Sequence, residues 1–478
     1  MLGFIVYLAC ALLLVAGYLC YGRLAEKVYG VDMKMTMPCE SRADGVDFVP
    51  MPTWRIFLIQ LLNIAGLGPV VGAISGCLFG PVALLWIVLG CIFAGALHDF
   101  LSAAMSADRG GENLPEIVGS ELGEPARHAM RLVCIFLLLM VGVVFTLLPA
   151  GMVSKLFGLM SPLGWSAVIL GYYFMATVLP INAIIGRIYP VFGAVFLFMA
   201  VGMAVMLPTG GYDVLPDLDV LSNQHPKGIS VWPMLFVTIA CGAISGFHAT
   251  QSPMMVRCLR RPGHMRRVFY GAMVVEGLVA LVWCVVGLSL REVLVTENET
   301  LQQLILQNPS SAVHAACTLL LGSTGGMVAV LGVVVLAVTS GDTAMRSCRL
   351  MLADVLRVKQ TRMLPRLALA GPLFAVVILI SQLDFSVIWR YFGWGNQTLA
   401  CFTLWSIAVC LRRRGSSCLM ALLPAMFMTC MCTTFLLHAP ECAINLSLEL
   451  STGAGLAVAA LCLICFIRCV RPATEKAG

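Results

Sequence analysis

Two hydrophobic stretches of this chain, five spans apart, are interrupted in the middle, and these interruptions constrain its fold more than any other feature. The first reads Asn63-Ile-Ala-Gly-Leu-Gly-Pro69; the second reads Gly242-Ala-Ile-Ser-Gly-Phe-His-Ala-Thr-Gln-Ser-Pro253. Each sets glycine and polar groups inside an apolar run, then a proline where helix can restart. An unwound turn at mid-membrane frees backbone N–H and C=O groups, which is tolerated only where protein, water or ligand satisfies them. Gly/Pro-interrupted segments at matching positions of two halves point to the binding site of a carrier. A simple kink or a close helix crossing is the competing reading of either break alone.

The rest of the composition fits a bilayer. The chain is 60% hydrophobic and 11% charged, with a mean hydropathy of +0.94, whereas a soluble domain carries roughly 25% charged residues. Apolar runs of about 20 residues, long enough to cross as helix, recur along it. Period-two alternation is missing, which excludes a transmembrane barrel. The first run, Leu2–Tyr21, has neither a basic leader nor a small-residue cleavage site and reads as a retained helix. The 20 cysteines fall mostly inside spans, as in Cys430-Met-Cys432 and Cys462-Leu-Ile-Cys465, where thiols pack as small apolar groups. A redox pair at Cys462 and Cys465 is the weaker alternative. No Cys/His spacing resembles a zinc site, so no metal is expected.

Thirteen spans are predicted: 2–21, 55–79, 81–107, 129–152, 164–180, 187–207, 231–256, 267–290, 316–345, 364–382, 386–411, 418–438 and 447–469. All but Lys155, Lys227, Arg291 and Arg390 of the 30 basic residues fall in one set of alternate loops. Charge sorted in this way is a topology signal rather than a nucleic-acid patch. It places the N-terminus outside and the C-terminus in the cytoplasm of a bacterial-type inner membrane. Five spans from 55 to 207 and five from 231 to 411 then have opposite topology, and each group opens with a broken helix. The expected fold is an all-α polytopic protein with a LeuT-like 5+5 inverted repeat. Residues 1–54 add an N-terminal helix and a cytoplasmic loop. Residues 412–478 add two C-terminal helices and a short tail.

Proline suits the first turn of a helix, because the N–H it lacks would be unpaired there anyway. Pro69 is therefore expected to open the outer half of its helix, and Pro253, with Ser252 as N-cap, the inner half of the other. The positive ends of these half-helices favour a carboxylate. The candidate substrate residues are Ala65, Gly66, Leu67, Gly68, Pro69 and Val70, with Ser245, Gly246, Phe247, His248, Gln251 and Ser252. Ionisable groups inside spans are functional suspects; here they are His98, Asp99, His248, Glu276 and Asp342, as proton carriers or as structural ion pairs, or, for His248, as a hydrogen-bonded packing residue. Asp342 and Arg346 lie four apart on one helical face. Thr339 and Ser340, beside Thr343 and with carbonyls near Ala65 and Gly68, are expected to hold Na⁺, or else to bond back to their own helix. Trp394, Asn396 and Gln397 either gate the site or belong to an interfacial aromatic belt.

Several of these stretches resemble the carbon starvation protein A (CstA) family. They are Asp44-Gly-Val-Asp-Phe-Val-Pro50, Ala65-Gly-Leu-Gly-Pro69, Gly95-Ala-Leu-His-Asp-Phe100 and the run from Cys241 to Met255. Others are Phe269-Tyr-Gly-Ala-Met273 with Glu276-Gly277, Thr339-Ser-Gly-Asp-Thr-Ala-Met-Arg346 and the stretch from Trp389 to Ala400. The resemblance covers about residues 20–411 and is poor beyond them. It implies a LeuT-like secondary transporter associated with peptide utilisation and pyruvate uptake, with protons as the coupling ion.

The expected activity is cation-coupled uptake, by H⁺ or Na⁺, of a small carboxylate such as pyruvate, with short peptides as the alternative substrate. Expected partners are that substrate and the lipid bilayer, with no nucleic acid and no organic cofactor. The residues show no nucleotide loop or catalytic constellation, so an enzyme is not expected. A channel or a nutrient sensor is the reading from another class.

Overall fold

The computed structural model describes residues 1–44, 48–178, 185–358, 360, 362–439 and 444–471. Gly45, Val46 and Asp47 of the first resembling stretch, Lys359 and Lys476 lie outside the described residues, as do the last two residues of the span expected at 164–180.

The chain is all-helical, with no β-sheet among the described residues. In chain order the main helices are α1 (Leu2–Tyr29), α2 (Thr53–Ala65), α3 (Gly68–Phe79) and α4 (Val82–Asp108). Next come α5 (Leu114–Leu122), α6 (Glu124–Phe157), α7 (Pro162–Val178), α8 (Ile185–Thr209), α9 (Val231–Thr238) and α10 (Gly246–Val256). The run closes with α11 (Pro262–Leu290), α12 (Leu301–Gln307), α13 (Pro309–Val355), α14 (Met363–Ile380), α15 (Phe385–Arg413), α16 (Leu419–His438) and α17 (Leu448–Cys469). Among the described residues, nine helices are long and apolar enough to cross a membrane, or ten if the bent pair α2 and α3 is one span. The other expected spans are α7, described as far as Val178, the broken pair α9 and α10, and α15, which carries Arg390, Asn396 and Gln397. The break in the α9 and α10 pair and the polar residues of α15 keep these two below what hydropathy alone detects.

Both breaks are present. The two halves of the first meet at 50°. Its helix stops at Ala65, and Gly66 takes φ +32° and ψ −145°, a conformation that costs glycine little and side-chain-bearing residues more. Helix resumes as a π-turn at Gly68–Gly72, with Pro69 in its first turn as expected. In the second break α9 ends at Thr238, and helix restarts at Gly246. Here the sequence expectation fails: Pro253 lies inside α10, Ser252 is not its cap, and His248, Gln251 and Ser252 are already helical. The restart comes earlier because Gly246 can seat closely against a neighbouring span, whereas the Ser-Pro signal reports only what a lone helix would prefer.

The broken helices form the centre. The α10 half packs on α4 and α15, α11 covers α2 and α3, and α13 runs along α6 and α8 while touching α2. The α1 helix lies on α11 and α4, and α16 and α17 extend the bundle from α15. At one end, loops that the charge pattern assigns to one side are joined by ion pairs. Glu121 accepts from Arg413 at 2.8 Å and also pairs with Arg109; Arg414 meets Asp108 at 2.5 Å; and Arg266 meets Glu26 at 2.9 Å.

At the centre the two breaks touch. A Cβ on Gly68 would stand 2.1 Å from Cys241 Cβ, so only glycine permits the approach. Gly68→Ala should therefore destabilise the protein by about 1–3 kcal/mol, the usual cost of overpacking a filled core. Cys241→Gly in the same chain should recover most of that loss, read as the thermal midpoint in detergent. A double variant no more stable than Gly68→Ala would mean that the breaks do not touch at this pair.

Candidate functional site

The second break frees backbone groups on both sides of its gap, and side chains from other spans take them up. Gln397 on α15 donates from Nε2 to the Phe236 carbonyl at 2.8 Å, near the end of α9. Trp86 on α4 donates from Nε1 to the Ile239 carbonyl at 2.9 Å. Asn396, the neighbour of Gln397, serves the other side: its Oδ1 accepts from the Ser245 hydroxyl at 2.6 Å and from the Phe247 N–H at 3.2 Å. Its Nδ2 donates to the Phe392 carbonyl at 3.0 Å. Asn396 thus caps the N-terminus of α10 from another helix, doing what a local N-cap side chain ordinarily does. Asn396 and Gln397 are buried against the break rather than set in an interfacial belt. Trp394 points away from the break, donating to the Cys432 carbonyl on α16 at 3.2 Å.

The first break is tied in the same way. Ser340 on α13 donates to the Leu62 carbonyl at 3.3 Å, within the last turn of α2. Gln60, a residue the sequence reading passed over, donates from Nε2 to Ser252 Oγ at 3.1 Å and so links the two broken helices. Its signal was a buried amide one turn before the first break. Thr339 and Thr343 take the bland alternative: their hydroxyls bond back to the Leu336 and Thr339 carbonyls of their own helix. The Gln251 side chain turns to Thr250 Oγ1, at 3.0 Å. Ala65, Leu67, Val70 and Phe247 are buried beside the breaks, as are Gly66 and Pro69.

The buried ionisable residues separate into two groups. His98 and Asp99 come from α4, His248 from α10 and Glu276 from α11, and all four side chains are fully enclosed. Asp99 Oδ1 meets His98 Nδ1 at 2.9 Å, and its Oδ2 meets His248 Nδ1 at 3.1 Å. The other ring nitrogen of His248 faces Glu276 Oε2 at 3.5 Å. His248 therefore stands between two carboxyl groups from two other helices. Asp342 is paired elsewhere: Tyr172 donates to its Oδ2 at 3.2 Å, and Arg346 lies 3.8 Å from its Oδ1. The i,i+4 partnership was legible in the sequence, whereas Tyr172 was not.

Between the breaks, the gap bordered by Gly68, Cys241, Trp389 and Phe392 has no room for a water-sized sphere. Towards the end that gathers the ion pairs, a cavity of about 150 Å³ opens beside Thr250 and Met254 of α10, with Asn113, Arg131, Arg257 and Ser347 around it. A larger groove of about 720 Å³ between α4 and α16 is almost wholly apolar. It lacks the polar groups that would orient a hydrophilic solute, and it suits acyl chains.

Two half-helices meet at the centre of an all-helical membrane bundle, with buried ionisable groups behind them. Solved structures agree on the fold. A nucleobase-cation-symport-1 family transporter in a closed conformation covers 90% of this chain and 97% of its own length, with a TM-score of 0.54 and 13% identity. The Eremococcus coleocola manganese transporter covers 89% and 98%, with a TM-score of 0.52 and 12% identity.

The chain belongs to the carbon starvation protein CstA family, whose profile matches residues 2–162, 150–328 and 314–435. A membrane protein of Haemophilus influenzae is 41% identical over 334 residues, which are 59% of this chain and 90% of that protein. The peptide transporter CstA of Campylobacter jejuni is 30% identical over 55% of this chain and 47% of its own length. The Escherichia coli peptide transporter CstA is 26% identical over 54% and 46%. The chain thus spans about half the length of the peptide transporters it matches. The relatives named for an activity are peptide transporters, and the solved neighbours are transporters too.

Because Asn396 Oδ1 serves two buried donors, Asn396→Ala should cost about 1–3 kcal/mol for each donor left unpaired. Ser245→Ala in the Asn396→Ala background should then cost less than it does alone, a coupling that a double-mutant cycle on unfolding midpoints measures. Strict additivity would show that the cap does not form.

Proposed function

We propose that this protein is a secondary transporter that takes up short peptides by alternating access across a bacterial cytoplasmic membrane, driven by a cation gradient. Its N-terminus would lie outside and its basic loops inside. The observation that carries the reading is the N-terminus of α10 at Gly246, enclosed at the bundle centre and occupied by the amide oxygen of Asn396. A carboxylate is a stronger partner than an amide oxygen for backbone N–H groups at a positive helix end. A substrate carboxylate would displace Asn396 there and free α10 from α15. The cavity beside Thr250 and Arg257 would be the release path on the inner side. The first break, with Ser340 held to the Leu62 carbonyl, would supply oxygen ligands if Na⁺ were the coupling ion.

Peptides and pyruvate both offer the carboxylate, so the half-helix argument does not rank them. The peptide transporters among the relatives favour peptides over the pyruvate reading of the sequence. An ion gradient driving accumulation would exclude a channel.

In proteoliposomes, a labelled dipeptide should accumulate above its external concentration under an imposed proton gradient and not under a sodium gradient. Excess unlabelled dipeptide should abolish the signal, while pyruvate should leave most of it. Accumulation of labelled pyruvate without that of dipeptide would transfer the assignment to small monocarboxylates.

A further inference from the structure

Resting on the reading of the protein as a cation-coupled carrier, we propose that Asp99, His248 and Glu276 form its proton-binding centre, with Glu276 as the group that loads and unloads the proton. The two carboxyl groups are differently served. Both oxygens of Asp99 have imidazole partners, at 2.9 and 3.1 Å. Among the described residues, neither oxygen of Glu276 has a hydrogen-bond partner, although the side chain is fully buried. His248 Nε2, likewise unbonded, is 3.5 Å away, beyond ordinary hydrogen-bond reach. A purely structural ion pair would close that gap, because an ionised carboxylate left uncompensated inside a protein costs several kcal/mol. Here the geometry holds a proton acceptor open beside a proton relay.

The step is a simple transfer. The carboxylic acid of Glu276 gives its proton to Nε2 of neutral His248, leaving a carboxylate and an imidazolium. The imidazolium then sits between two carboxylates, with its Nδ1–H donated to Asp99 Oδ2. Loss of that proton to the inner side returns His248 to neutral and lets Glu276 load again. His98, Cys91 and Cys241 are the other titratable groups close enough to interact with these carboxyls. Cys91 lies on α4, and Cys241 lies in the second break.

The placement ties charge to motion. His248 is two residues into α10, whose first turn is the one capped by Asn396. Asp99 is on α4, which packs along α10, and Glu276 reaches His248 from α11. An imidazolium draws α10 onto both helices, and a neutral imidazole releases it. The proton and the substrate carboxylate would thus bias the same half-helix from its two sides. Asp342 lacks this arrangement, because its partners Tyr172 and Arg346 lie on α7 and α13.

The test separates coupling from translocation, using full-length protein in proteoliposomes at zero membrane potential. A symporter moving one proton per dipeptide accumulates about tenfold per imposed pH unit, since a tenfold ratio and one pH unit are the same free energy. Glu276→Gln keeps the shape and removes the ionisation. It should lose accumulation, down to onefold, while still exchanging labelled for unlabelled dipeptide at equal pH. Tenfold accumulation by Glu276→Gln would overturn the proposal. If Glu276→Gln exchanges nothing, Glu276→Asp decides: accumulation restored supports the centre, and an inactive Glu276→Asp overturns it. Wild-type protein that neither accumulates nor exchanges dipeptide would defeat the peptide-transport reading instead. The centre then stands or falls on infrared difference spectra of purified protein across a pH titration. A titrating carboxylic-acid band should be present in wild type and absent in Glu276→Gln; identical spectra would overturn it.

Discussion

Everything at the centre of this protein follows from one requirement: backbone polar groups released by an unwound helix inside a membrane must find partners that are not bulk water. The second break meets it with three side chains from two other spans. Trp86 and Gln397 take carbonyls on one side of the gap, and Asn396 takes donors on the other. The first break uses Ser340 on a carbonyl and the close approach of Gly68 to Cys241. These contacts fix which helices are neighbours. The α15 helix lies against α9 and α10 because its Asn-Gln pair serves both, and α13 touches α2 through Ser340. The ionisable chain from Asp99 to Glu276 is assembled by the same packing, since α10 cannot seat on α4 without bringing His248 to Asp99.

Much of this was legible in the sequence. The breaks were visible because glycine, proline and polar residues inside apolar runs are local signals. The ionisable suspects were visible because each is costly in a span. Partnerships were not. Ser245 and Asn396 are 151 positions apart, as are no residues that a helical period could relate. Gln60 and Tyr172 look like ordinary interior polar residues until their partners are seen. Asp342 and Glu276 looked equivalent, and only the fold separates a paired carboxyl from an open one.

The misplaced start of α10 has a specific cause. Ser252-Pro253 matches the rules for a helix N-terminus, which describe what a helix needs when its end must be satisfied locally. Here a neighbouring span satisfies it, so the helix can begin seven residues before the proline. Hydropathy alone detects fewer spans for a related reason. Helices α10 and α15 are short or polar because they are enclosed by other helices, and hydropathy measures fitness for lipid rather than for protein.

The cap that Asn396 places on α10 also has an evolutionary consequence. The Ser245 hydroxyl and the Phe247 N–H both lose their acceptor if Asn396 changes, and Ser245 and Asn396 are fully enclosed. A lineage that alters Asn396 is left with an orphaned hydroxyl at Ser245 until that position changes to match. The two positions, far apart in the gene, should therefore drift together or not at all, and their joint identity marks which descendants keep this way of closing the broken helix.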